Sequence, residues 1–123
     1  MSTGTARILV VEDDRGIATM LDRGLRLGGH LVTLATGMGE ARAAWVAGRF
    51  DVVLLDVMLP DGDGIELLAE RRAAGDDVPA VLLTAREEDE LRERADRAGA
   101  TAYLPKPFAY ADLLALIERV VRP

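Results

Sequence analysis

The sequence predicts an α/β domain built on a doubly wound, five-stranded parallel sheet with helices on both faces. Three observations predict it. Short apolar runs alternate with longer amphipathic stretches in the order βαβαβαβαβα, an alternation that implies a parallel sheet closed by right-handed crossovers. The runs show little switching between apolar and polar residues, the pattern of strands buried on both faces. A length of 123 residues allows one sizeable core and is too short for two, so residues 1–123 read as a single domain, either standing alone or forming the front part of a longer chain.

The first strand is the run at 8–11, followed by a helix carrying Ile17, Met20, Leu21 and Leu25 at helical spacing. Gly28 and Gly29 stop that helix before a second strand at 31–34. Met38, Ala41 and Trp45 mark the second helix, Gly48 its end, and 52–55 the third strand. Ile65, Leu68 and Ala69 mark the third helix, which ends near Gly75 ahead of a fourth strand at 80–83. The stretch 87–98 has only Leu91 and a few alanines to bury before Gly99. It reads either as a solvated surface helix or as one held loosely enough to shift. A weaker strand at 102–104 and a helix with Leu113, Leu114, Ile117 and Val121 complete the chain, and Trp45 and Phe50 read as core.

Composition removes several classes of function. Hydrophobic residues are 50% and charged residues 29%, and no apolar run approaches the roughly eighteen residues of a membrane span. Cysteine is absent, which excludes disulfides, thiolate metal sites and a cysteine nucleophile. The start, MSTGTAR, has no secretory signal, so a cytoplasmic location is expected. A net charge of -6 disfavours direct binding to nucleic acid or anionic lipid, so any contact with DNA would fall to another domain. Of the fifteen basic residues only Lys106, set between Pro105 and Pro107, is lysine. Coding bias accounts for the arginines; a narrow site wanting a point charge would account for the one lysine.

In doubly wound sheets the binding crevice lies beyond the carboxyl ends of the strands, where strand order reverses. The first strand ends in Glu12, Asp13 and Asp14, the third in Asp56, the fourth in Thr84 and the fifth at Lys106. Asp14 reads as an N-cap for the following helix. With strands one and three adjacent, Glu12, Asp13 and Asp56 converge, and crowded carboxylates call for a cation. Ligands that are all oxygen select a hard ion, and this set matches Mg2+. The Asp61–Gly64 DGDG segment lacks the further ligands of a calcium loop and reads as a turn opening a helix. Carboxylate, metal, hydroxyl and lysine around one crevice suit phosphoryl transfer. Asp56 is the natural acceptor, Glu12 and Asp13 hold the metal, and Thr84 and Lys106 contact phosphoryl oxygens. His30 opens the second strand away from the crevice and reads as a surface residue.

At these residues the chain resembles the receiver domain of bacterial two-component response regulators. ILVVEDD, VVLLDVMLPDGDG, VLLTA and AYLPKPF stand in that family's order and spacing over essentially the whole length. The resemblance implies a flavodoxin-like sheet of order 2-1-3-4-5, Asp56 as phosphoacceptor, and the Met58 carbonyl as a metal ligand beside Glu12, Asp13 and Asp56. It also implies a cis bond before Pro107 and an aromatic switch at Tyr103 that turns inward as Thr84 closes on the phosphate. A sensor histidine kinase is the implied donor. The domain would catalyse only its own phosphorylation and slow dephosphorylation, changing shape at helix four, strand five and helix five. Receivers joined to winged-helix domains pair through that face by charged rungs. Here Arg92 and Asp112 remain, while Thr101, Ala102, Leu116 and Glu118 replace the rest, so a monomer is expected.

Two rivals remain open. A Mg2+-dependent phosphohydrolase with an aspartate nucleophile would need a second acid near Asp56, where position 58 is methionine. A flavodoxin-like cofactor binder would need Gly, Ser or Thr after strand one, where EDDRG stands.

Overall fold

The structure, a computed structural model, describes residues 4–86 and 88–121. The first residues of MSTGTAR and Glu87 of the weakly apolar stretch lie outside the described residues. The elements follow as β1 (Arg7–Val11), α1 (Arg15–Leu27), β2 (Leu31–Ala35), α2 (Met38–Ala47), β3 (Val52–Asp56), β4 (Met58–Leu59), β5 (Gly62–Asp63), α3 (Gly64–Ala73), β6 (Ala80–Thr84), α4 (Asp89–Ala98), β7 (Ala102–Pro105) and α5 (Tyr110–Val120). The long strands form one parallel five-stranded sheet in the order β2-β1-β3-β6-β7, which is the expected winding. Order reverses between β1 and β3, so their carboxyl ends flank the crevice.

Strand periodicity divides the core in two. Leu9, Val11, Val53, Leu55 and Leu82 pack with Met38, Ala41 and Trp45 of α2, Ile65 and Leu68 of α3, and Leu91 and Ala95 of α4. Their neighbours Ile8, Val10, Leu54 and Leu83 face the other way, onto Leu21 and Leu25 of α1 and Leu113 and Ile117 of α5. Phe50 packs half-buried against the first cluster. Trp45 is buried with its indole N–H donated to Asp76 Oδ2 at 3.0 Å.

Several expectations need correction. Strand β2 is not buried on both faces: it is an edge, with Leu31 and Leu34 exposed. Met20 and Ala69, placed on apolar faces by their spacing, are exposed as well. The DGDG segment does open α3, with Asp63 as N-cap accepting the Ile65 N–H, but β4 and β5 first form a small antiparallel ribbon. Leu116 is buried in the second cluster, so position 116 offers no surface rung. Val121 lies just past the end of α5.

The open edge has a distinctive arrangement. Leu31 N–H and Ala35 C=O bond towards β1, so the intervening Val32 and Leu34 turn their backbone groups outward. Arg26 Nη2 donates to the Val32 carbonyl at 2.9 Å, and Asp22 holds the same guanidinium through Nε at 2.7 Å.

Helices α1 and α5 meet at Gly24. A Cβ there would lie 2.6 Å from Tyr110 Oη and 2.7 Å from its Cζ. Glycine inside a helix costs about 0.5–1 kcal/mol relative to alanine, so space for the ring, not helix propensity, favours it here. Gly24→Ala is expected to destabilise by about 1–3 kcal/mol through overpacking. The check is a lower urea midpoint at unchanged m, with less than additive loss when combined with Tyr110→Ala. An alanine variant as stable as the parent would mean that the ring moves aside freely.

Candidate functional site

Three polar or charged residues among the described residues are buried: Glu12, Asp56 and Thr84. All three stand at the carboxyl ends of strands, around the point where strand order reverses. Asp56 closes β3, Glu12 follows β1, and Thr84 closes β6 next to it. Local chemistry shapes each corner. The Asp14 carboxylate caps α1 by accepting the Ile17 N–H at 3.0 Å, as expected. The Asp14 N–H in turn donates to Glu12 Oε2 at 3.1 Å, which turns the Glu12 side chain back into the crevice. Met58 N–H donates to Asp56 Oδ1 at 3.2 Å, while the Met58 side chain is exposed.

Lys106 follows β7 and reaches across. Its Nζ lies 2.7 Å from Glu12 Oε1 and 3.3 Å from Asp56 Oδ2, and the peptide bond to Pro107 is cis. Burial lowers the Lys106 pKa, but the close carboxylates of Glu12 and Asp56 outweigh it, so the net shift is upward. Asp56 is pushed up to about 7, first by burial and then by the negative charge of Glu12, against the opposing pull of Lys106. One ammonium therefore does not fully compensate the acids it faces.

The donor set fits a hard divalent cation. One oxygen from each of Glu12, exposed Asp13 and Asp56 lies within 4.8 Å of the other two, so these residues could hold a metal ion. Glu12 Oε1, although buried, has no aligned hydrogen-bond donor and only the nearby Lys106 charge. A set made wholly of oxygens, with Asp13 exposed, suits a hard cation.

On the other side of the crevice, the Arg86 main chain joins two predicted residues. Its N–H donates to Thr84 Oγ1 at 3.0 Å, and its carbonyl accepts from Tyr103 Oη at 2.8 Å. The Arg92 guanidinium lies 5.0 Å from the Tyr103 ring centroid. Sequence reasoning missed Arg86, because a backbone contribution carries no residue-type signal. His30 stays away from the crevice, where its Nδ1 accepts the Ala6 N–H at 3.1 Å; its role is structural.

Comparison with known proteins decides the family. The family model described as response regulator receiver domain matches residues 8–118. This chain belongs to the response regulator receiver domain family. Response regulator MprA of Mycolicibacterium vanbaalenii is 45% identical over 116 residues, covering 94% of this chain and 50% of that protein. The MprA protein of Mycobacterium ulcerans is 43% identical over 118 residues, covering 96% of this chain and 51% of its own length. The chain thus spans about half the length of the curated relatives it matches. Among solved structures, a CheY-like receiver domain protein from Methanospirillum hungatei aligns with a TM-score of 0.91 at 31% identity, covering 96% of this chain and 94% of that one. The non-phosphorylated HemR receiver domain of Leptospira biflexa gives 0.88 at 37% identity, with 95% and 97% covered. The receiver is a signalling domain, and no helix among its described residues is long and apolar enough to cross a membrane.

The raised Asp56 pKa carries a stability prediction. At low pH the group is protonated in both folded and unfolded chains and costs nothing. Between its ordinary value of 3.8 and about 7 the unfolded chain ionises first, so stability falls as pH rises, and the penalty is constant above that window. Asp56→Asn should therefore raise the melting temperature at about pH 8 and lose that advantage by about pH 4. A gain of equal size at both pH values would show that charge burial is not its cause.

Proposed function

We propose that this receiver takes a phosphoryl group onto Asp56 from the phosphohistidine of a sensor histidine kinase, and so stores a signal as a shift between two conformations. The observation that carries this reading is the convergence of the buried Asp56 and Glu12 on the ammonium of Lys106, the chain's one lysine, with Thr84 buried at the end of the strand beside Asp56. In the transfer the donor N–P bond breaks while an Asp56 O–P bond forms, and the imidazole released takes up a proton. Mg2+ held by Glu12, Asp13, Asp56 and the Met58 carbonyl would neutralise charge on the carboxylates and the transferred group. Lys106 supplies a compact positive charge for one phosphoryl oxygen. Thr84 accepts from Arg86 and keeps its own hydroxyl proton to donate to another.

The rest of the site supports the same reading. Among the described residues the crevice offers no base besides the acids that would hold the metal, so the domain turns over only its own acyl phosphate, slowly. Thr84 and Tyr103 share the Arg86 main chain, so closure of Thr84 on a phosphoryl group would disturb the Tyr103 hydrogen bond directly. That favours a second arrangement of α4, β7 and α5. With a net charge of -6, this domain makes no direct contact with nucleic acid. It is a monomer, because the face at α4, β7 and α5 keeps Arg92 and Asp112 but lacks the other charges that set register in paired receivers.

A small-molecule phosphodonor with Mg2+ should add one hydroxylamine-labile phosphoryl group, abolished by chelation and by Asp56→Asn. Undiminished labelling of that variant would remove Asp56 as acceptor. Lys106→Arg should slow labelling by about tenfold or more, because a planar guanidinium cannot occupy the place of a point charge. A fully active arginine variant would leave coding bias as the account of the lone lysine. Light scattering at micromolar concentration should report a monomer with and without a phosphoryl mimic; a shift to dimer through α4, β7 and α5 would overturn that assignment.

A further inference from the structure

The β4–β5 hairpin that follows Asp56 has two residues in each strand, too few to hold itself, and is fastened from outside. Asp61 at its tip accepts the Met38 N–H at the start of α2, 2.8 Å away. Asp63 at its base uses its two oxygens differently. Oδ1 caps α3 by accepting the Ile65 N–H at 2.8 Å, and Oδ2 accepts from Arg94 Nη2 of α4 at 2.6 Å. Between hairpin and α4 lies a cavity of about 230 Å3, lined by Val57, Met58, Leu59 and Leu91 and also by Asp63 and Arg94. Apolar packing therefore does not close this gap; the ion pair spans it. Helix α4 buries only Leu91 and Ala95, and its far end is pinned where Arg72 Nε and Nη2 donate to the Gly99 carbonyl at 3.2 and 2.9 Å. From Asp63 the route to the reacting group is short. Asp63 pairs with Met58 across the ribbon, and the Met58 N–H donates to Asp56 Oδ1.

We propose that Arg94 is a positioning residue for phosphoryl transfer: by holding Asp63 it fixes the hairpin, keeps Met58 against Asp56, and ties α4 to the acceptor by a route separate from Thr84 and Tyr103. The proposal rests on Asp56 being the acceptor. Without the ion pair the hairpin keeps the Asp61 bond to α2, the Gly64 N–H bond to the Val57 carbonyl and the buried Leu59 but loses its tie to α4, so acceptance slows and α4 loosens together. The pair is partly exposed, which sets the effect at about two- to fivefold in rate.

The test uses Asp63→Asn, which keeps a good N-cap for α3 while removing the charge, and Arg94→Gln, which removes the other partner. Each should slow labelling of Asp56 by a small-molecule phosphodonor about two- to fivefold and raise deuterium uptake in residues 58–63 and in α4. The double variant should be no worse than either single one, and Arg94→Lys should recover part of the rate. Parental rates in either single variant, faster acceptance, or additive losses in the double would each overturn the proposal. Should the parent itself not be labelled on Asp56, the acceptor assignment fails separately. Deuterium uptake still tests the tie in that case, and unchanged uptake in the variants overturns it.

Discussion

The structure depends on holding two carboxylates out of water at the ends of adjacent strands. Glu12 and Asp56 are buried side by side because β1 and β3 are neighbours at the reversal of strand order. Removing them from solvent is costly, and their mutual repulsion adds to the cost. Lys106 offsets part of it from β7, on the far side of β6. Everything that brings this ammonium into reach serves that compensation: the parallel sheet, the end of β7 and the Lys106 N–H bond to the Thr84 carbonyl at 2.7 Å. The negative charge left uncompensated favours one further cation, and an anionic group would be repelled until such a cation is held.

Where both faces of a strand are covered, residue type alone reveals the strand. Val52 to Leu55 and Ala80 to Leu83 are fully buried, and nothing in those runs conflicts with that. Strand β2, apolar but for Thr33, is largely exposed, because edge position follows from winding order and leaves no mark on Leu31 or Leu34. The β4–β5 ribbon escaped for another reason: two residues per strand are too few to show any period. Met20 and Ala69 illustrate the width of a helix's buried stripe, which periodicity locates only to within a position.

The site was legible to the extent that its chemistry lies in side chains. Acids, a hydroxyl and a lone lysine at strand ends can be read once the sheet is assumed, and the structure brings Glu12, Asp13, Asp56 and Lys106 within a few ångströms. Arg86 acts through its N–H and carbonyl, so any residue could stand there without altering the signal. Asp63 and Arg94 are common surface residues far apart in sequence, and only the folded chain brings them together. Leu116 is the converse case: the resemblance implied a surface position in a pairing face, yet here it belongs to the core.

The Arg26 contact bears on how the sheet ends. A parallel sheet must stop at β2, and an uncharged apolar edge of sequence LVTLA would otherwise be a template on which a second chain could add a strand. The outward carbonyl of Val32, central to that edge, is already taken by a guanidinium held in place by Asp22. An incoming backbone would have to displace a charged donor and desolvate it to form the ladder. One side chain of the preceding helix thus obstructs the middle of the edge, without giving up any apolar residue that the strand needs to pack.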